Sequence, residues 1–114
     1  MYKFSYEEVL SDSGDRKREN ERLAIEQSIR LLQFADKAGP QSREAIDAIL
    51  FVNRLWSFLL EDLVKPGNAL PDDMRAKLIS IGIWVLREAE AISSGRSRNF
   101  MGLIEVSNII AEGL

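Results

Sequence analysis

The sequence contains no cysteine and no histidine among its 114 residues. It therefore cannot form a disulfide, a thiolate nucleophile, an imidazole general base or a zinc site built from those ligands. Its basic residues number 15 against 18 acidic ones, and the resulting net charge of -3 disfavours direct binding to a nucleic acid backbone. Because most familiar catalytic sites are excluded, we expect no enzyme activity, no cofactor and no metal.

The sequence also lacks a segment suited to a membrane. Its most hydrophobic window, residues 45–64, contains Asp47, Arg54 and Glu61, and such charges are too costly at bilayer depth for a spanning helix. Residues 1–8 lack the apolar stretch of a secretory signal peptide and include two acids. We therefore expect a cytoplasmic protein without membrane contact.

The pattern that is present is helical. Apolar residues recur at spacings of three and four, and each such stretch ends at a cluster of Gly, Pro or Ser. These breaks delimit four predicted helices, at about 15–38, 42–64, 71–93 and 98–112. The length fits one domain, and the short connections favour antiparallel neighbours. We predict an all-α fold in which residues 1–114 form a single domain, a compact bundle of about four antiparallel helices after a short N-terminal arm containing Tyr2, Phe4 and Tyr6.

Each predicted helix carries one apolar seam for the core. The seams consist of Ile25, Ile29, Leu32 and Ala35; of Ile49, Val52, Trp56, Leu59 and Leu63; of Met74, Leu78, Ile81, Val85, Ala89 and Ile92; and of Phe100, Leu103, Val106 and Ile110. We expect the second and third helices to be the central pair. Gly82 in the third helix predicts a close approach of a neighbouring backbone.

The second and third helices carry more apolar residues than one seam requires. About 100° from the seams lie two further strips, formed by Phe51, Leu55 and Phe58 and by Ile79, Ile83 and Leu86. A partner-binding groove needs such an apolar surface, so these six residues are candidates for it. They could equally be core under the first and last helices or a homodimer face, and the pattern does not decide between these alternatives.

Charged residues give few further candidates. Adjacent carboxylates such as Asp72 and Asp73 point about 100° apart on a helix and cannot share a substrate proton, so we interpret them as stabilising a helix start. Arg54 lies in an apolar stretch, and we expect it to form a buried or half-buried ion pair. Arg96 and Arg98 have no nearby acids in the sequence and are candidates for contact with an acidic partner or RNA.

Several segments together resemble FlaF, the flagellar biosynthesis regulator family of alphaproteobacteria. The similarity covers nearly the whole chain and rests on Tyr2 and Tyr6, Arg54-Leu55-Trp56, Asp62-Leu63, Asn68-Ala69-Leu70-Pro71, residues 78–85, Arg87-Glu88, residues 103–106 and Gly113-Leu114. The resemblance implies a cytoplasmic factor needed for flagellin production or export, which acts with or against the flagellin messenger regulator FlbT and in some members binds flagellin as a chaperone. It supplies no catalytic residue.

Two functions are therefore expected from the resemblance. The first is a regulator of flagellum biogenesis that binds flagellin as a chaperone. The alternative is a post-transcriptional adaptor or antagonist that acts with FlbT on translation of the flagellin messenger, touching RNA indirectly or through Arg96 and Arg98.

Overall fold

A computed structural model describes residues 14–113 of the chain, which fold into four helices. These are α1 (Gly14–Ala38), α2 (Arg43–Val64), α3 (Asp72–Ser93) and α4 (Phe100–Gly113). No strand occurs within this range. The predicted all-α bundle is confirmed, and each predicted helix end lies within two residues of the observed one. The predicted arm with Tyr2, Phe4 and Tyr6 lies outside the described residues.

The helices begin and end where local chemistry favours it. Ser42 caps α2, because its hydroxyl oxygen accepts a hydrogen bond from the backbone N–H of Ala45 at 3.1 Å. Gly39 ends α1 with a φ of 103°, in the left-handed region that only glycine adopts without strain. Asp73 accepts a hydrogen bond from the backbone N–H of Met74 at 2.9 Å in the first turn of α3. Asp72 and Asp73 both lie in the first turn of α3, as interpreted, but no side-chain hydrogen bond caps the N-terminus of this helix.

The core lies between α1, α2 and α4, and α3 is attached to its side. α1 packs along both α2 and α4, whereas α3 packs on α2 and touches α4 at few positions. The expectation that the second and third helices form the central pair is therefore wrong, and α1 with α2 takes that place. Periodicity could not reveal this, because an apolar seam indicates that a helix face is covered without identifying the helix that covers it.

α3 crosses α2 closely at Gly82, where the nearest atoms belong to side chains of α2 and not to the backbone that the position predicted. A Cβ atom at Gly82 would lie 2.8 Å from Cδ2 of Leu60 and 2.9 Å from Cε3 of Trp56, closer than packed carbon atoms approach. Only a residue without a side chain fits this crossing. The crossing fixes which side of α2 is covered by α3.

No helix in the part of the chain that the structure describes is both long enough and apolar enough to cross a membrane.

Candidate binding surface

The apolar seam of α3 is buried over only part of its length. Val85, Ala89 and Ile92 are buried, whereas Leu78 is half-buried and Met74 is 49% exposed. Since α4 touches α3 at few positions, α2 is the main neighbour of α3 within the described chain, and it leaves Leu78 and Met74 partly uncovered. The bundle is therefore open at the end where α3 begins.

A pocket of about 140 Å³ lies at this open end. Its apolar lining combines residues from all four helices and from the connection between α2 and α3, namely Ile25, Trp56, Leu59, Leu63, Ala69, Leu70, Leu78 and Ile110. An apolar protein cavity of about 150 Å³ can hold a molecule the size of benzene. The pocket therefore has room for one large apolar side chain.

A polar network borders one side of the pocket. The ammonium of Lys17 on α1 donates to Oδ2 of Asp62 on α2 at 2.8 Å. The side-chain amide of Asn68 donates to the same carboxylate oxygen at 3.2 Å and to the backbone carbonyl of Asp62 at 3.1 Å. Oδ1 of Asn68 in turn accepts from the backbone N–H of Leu70 at 3.0 Å. The network therefore connects α1, α2 and the α2–α3 connection around the pocket.

Glu21 is the second acid that lines the pocket. Burial raises the pKa of its carboxyl, the charges of Lys17 and Arg18 oppose that rise, and the charge of Asp62 adds to it. Arg18 lines the same rim, is exposed, and forms no ion pair within the described residues. The rim thus carries both signs of charge around an apolar centre.

One side of α3 faces the gap toward α4. Ser97, in the connection to α4, donates a hydrogen bond to the carboxylate of Glu88 at 2.6 Å, so this connection runs along the side of α3 that carries Glu88. Spacings of three and four place four more residues on that side, which we call the α3 strip: Met74, Lys77, Ile81 and Trp84. Trp84 is 37% exposed although it is a large apolar side chain. Met74 lies four residues before Leu78 and Ile81 three residues after it, so the α3 strip adjoins the one residue of α3 that lines the pocket.

The six apolar residues predicted as a binding surface differ in their exposure. Leu55 and Leu86 are half-buried and pack against the core. Phe51 and Ile79 are also half-buried, whereas Phe58 is 54% exposed and Ile83 is 42% exposed. α1 and α4 therefore do not cover these two strips completely.

The structure does not bring the two predicted strips together. α3 crosses α2 on the side of Leu60, and Leu60 lies about 200° around the helix from Phe58. The strip with Phe51, Leu55 and Phe58 therefore lies on the opposite side of α2 from α3. A single groove cannot be formed by both strips.

The arginines predicted as contacts lie elsewhere. Arg96 and Arg98 are exposed in the α3–α4 connection, after the C-terminal end of α3, whereas the pocket adjoins its N-terminal half. Arg54 is exposed and has no ion pair in the described part of the chain, so the expected buried pair is wrong. Its position at the edge of the apolar faces of α2 allows the guanidinium to remain in water.

The pocket itself was not predicted from the sequence. The periodicity places Leu78, which forms the α3 side of the pocket, in the core seam, because a half-covered seam and a fully covered seam have the same periodicity. The only sequence signal for the pocket is the pair of polar residues Asp62, near the end of α2, and Asn68, within the α2–α3 connection, which form its network.

A family model described as "Flagellar protein FlaF" matches residues 2–114. The chain belongs to the FlaF family of flagellar proteins. The resemblance inferred from the sequence is therefore confirmed over almost the whole chain, and the protein is flagellar in its role. No curated protein and no solved structure matches this FlaF-family chain.

Proposed function

We propose that this FlaF-family protein promotes flagellin production or export by binding flagellin as a cytoplasmic chaperone. The observation that carries the proposal is the open end of the bundle, where the pocket and the α3 strip expose apolar surface beside charged residues. Contiguous apolar surface with a polar rim is typical of a site for another protein.

Flagellin is a suitable occupant for such a surface. Its terminal segments are amphipathic and become ordered only when they are buried against neighbouring subunits of the filament. An unassembled subunit would aggregate or polymerise early through these apolar faces. A small helical protein that covers one of them would keep the subunit competent for export.

The alternative function acts through FlbT and the flagellin messenger. It is supported by Arg96 and Arg98, which are exposed together in the α3–α4 connection and form no ion pair in the described part of the chain. Such arginines suit an acidic protein or the phosphates of RNA. With only two such side chains and an acidic net charge, this surface is weaker support than the open end of the bundle.

Co-purification from purified components tests the two functions. The full-length protein is mixed with monomeric flagellin of the same bacterium, with FlbT, or with FlbT and flagellin messenger, and complexes are measured by size exclusion with light scattering. A complex with flagellin at fixed stoichiometry supports the chaperone. A complex only with FlbT, with or without messenger, supports the alternative and contradicts the chaperone.

A second measurement separates production from export. In cells that lack this protein, a translational reporter fused to the flagellin messenger is compared with the amount of secreted flagellin. A chaperone predicts reduced secretion at unchanged reporter activity, whereas an adaptor of translation predicts a changed reporter.

A further inference from the structure

We infer that the open end of the bundle docks one amphipathic helix of flagellin, which places a single large apolar side chain in the pocket and presents acidic residues on its flanks. The inference rests on the proposed function and assigns its binding site. The two predicted strips do not form this site, because α3 lies on the opposite side of α2 from the strip with Phe51, Leu55 and Phe58. Arg96 and Arg98 do not belong to it either, because they lie in the α3–α4 connection, after the C-terminal end of α3.

The first argument is continuity with the core. The seam of α3 runs from the buried Val85 to the half-buried Leu78 in the pocket and ends at the exposed Met74. A helix laid in the gap between α3 and α4 would cover the part of this seam that α4 leaves open. The site therefore requires a helix-shaped apolar partner and not a small polar ligand.

The second argument is size. The pocket of about 140 Å³ accommodates one leucine-sized or aromatic side chain. From Met74 to Trp84 the α3 strip extends over roughly 15 Å of helix axis, or about three turns. A docked segment of about three turns would thus place one apolar residue in the pocket and others against Ile81 and Trp84, at spacings of three and four.

The third argument is charge. Lys17 is paired with Asp62, so these two charges of the pocket rim compensate each other, whereas Arg18 attracts Glu21 without forming an ion pair with it. Lys77 on the α3 strip is exposed and has no ion pair among the residues that the structure describes. Arg18 also lacks a paired acid there. An acidic residue on each flank of the docked helix would satisfy these two cations.

Filling the pocket tests the site without opening the fold. Leu78→Trp places a larger apolar side chain at a half-buried lining position. We expect an unchanged or raised Tm and an affinity for monomeric flagellin that falls by roughly tenfold or more, because the anchor side chain is excluded. Isothermal titration calorimetry with the full-length protein measures the affinity, and a thermal scan measures the Tm.

Charge reversal gives a second test that does not depend on the pocket interior. Arg18→Glu and Lys77→Glu alter exposed side chains, so the fold should be retained. Each should weaken flagellin binding about three- to tenfold at low salt, because an attraction becomes a repulsion. Arg54→Glu is the matched control, since Arg54 is equally exposed and unpaired but does not line the pocket. It should bind flagellin as the wild type does.

Fluorescence reports the pocket directly. The chain has two tryptophans, and Trp84→Phe leaves Trp56, which lines the pocket, as the single emitter. Adding flagellin to this variant should shift or quench the emission of Trp56. A second variant combines Trp84→Phe with Leu78→Ala, which enlarges the pocket and does not block it. Flagellin should still change the emission of Trp56 in this variant.

The outcomes separate the site from the function. If flagellin binding is unchanged in Leu78→Trp, Arg18→Glu and Lys77→Glu, the inferred site is overturned, whereas the chaperone proposal stands. Absence of any wild-type binding to flagellin overturns both. A dimer that Leu78→Trp dissociates without flagellin shows that a second copy is the occupant. A further variant replaces Tyr2, Phe4 and Tyr6 by Ser. If its Trp56 emission is shifted in the absence of flagellin, the occupant of the pocket is the chain's own N-terminal arm. Either of these last two results also overturns the inference.

Discussion

At the scale of single residues, Glu21 and Trp56 show how the pocket is built. Trp56 is 2% exposed and contributes both to the core and to the pocket lining. Glu21 also lines the pocket and is half-buried, and this burial raises the pKa of its carboxyl. The pocket lining therefore combines a residue of the stable core with a titratable group that is partly removed from water.

The raised pKa of Glu21 predicts a pH-dependent effect of Glu21→Gln. The folded state holds the proton more tightly than the unfolded state, so the stability contributed by Glu21 is complete below the ordinary pKa of 4.5 and is lost as pH rises through the folded pKa. Thermal scans should give Glu21→Gln a higher Tm than the wild type at pH 7 and the same Tm near pH 4. A difference that does not depend on pH would contradict the role of burial.

Trp56→Ala should destabilise the domain by about 3–5 kcal/mol, because it removes a buried indole and leaves a cavity next to the pocket. Urea denaturation followed by circular dichroism measures this free energy of unfolding. The matched control is Trp84→Ala, since Trp84 is 37% exposed and should cost much less. Equal losses for the two variants would contradict the burial difference between them.

At the scale of elements, the sequence predicts each helix better than it predicts their arrangement. The seam of α2 is buried at all five of its positions, Ser42 begins α2 and Gly39 ends α1, as their chemistry requires. Helical periodicity reports only which face is apolar, so it could not determine that α4 packs along α1 and leaves α3 half-covered. The pocket depends on that arrangement and was missed for the same reason.

The crossing of α3 over α2 predicts the cost of Gly82→Ala. Alanine favours a helix over glycine by about 1 kcal/mol, but its methyl group would overlap Leu60 and Trp56, and overpacking typically costs about 1–3 kcal/mol. We expect a net loss of stability of about 1 kcal/mol in chemical denaturation. Gly113→Ala is the control, since nothing lies within 4 Å of its added Cβ atom, and it should not destabilise.

The outer face of α2 predicts contrasting effects of two glutamate substitutions. Leu55 packs against the core, so Leu55→Glu should lower the free energy of unfolding by several kcal/mol. Phe58 is 54% exposed, so Phe58→Glu should leave the Tm within a few degrees of the wild type. Calorimetry should then find normal flagellin binding for Phe58→Glu. Loss of binding with an intact fold would instead place the docked helix on the strip that contains Phe51 and Phe58.

At the scale of the whole molecule, the described chain is a core of three helices with a fourth attached at one side. Its extents of 40 × 35 × 21 Å reflect this flattened arrangement. α1, α2 and α4 supply most of the buried side chains, and α3 adds Val85, Ala89 and Ile92 from its C-terminal half, so all four helices contribute to global stability. The N-terminal part of α3 has neighbours on one side only and can take up a further helix without disturbing that core.

This arrangement predicts how flagellin binding responds to salt. If burial of apolar surface at the open end dominates, the affinity should fall less than about tenfold between low salt and roughly 0.5 M salt, where the screening length is only a few ångströms. The small loss should come from Lys77 and Arg18, so Lys77→Glu should bind with a weaker or inverted salt dependence. Contact of Arg96 and Arg98 with messenger would behave differently, since binding to single-stranded phosphates weakens steeply with salt in proportion to the number of contacts. If the affinity falls steeply with salt and Arg96→Ala and Arg98→Ala abolish this fall, the main contact lies at the α3–α4 connection. If the affinity falls only slightly and these substitutions leave the fall unchanged, the main contact lies at the open end of the bundle.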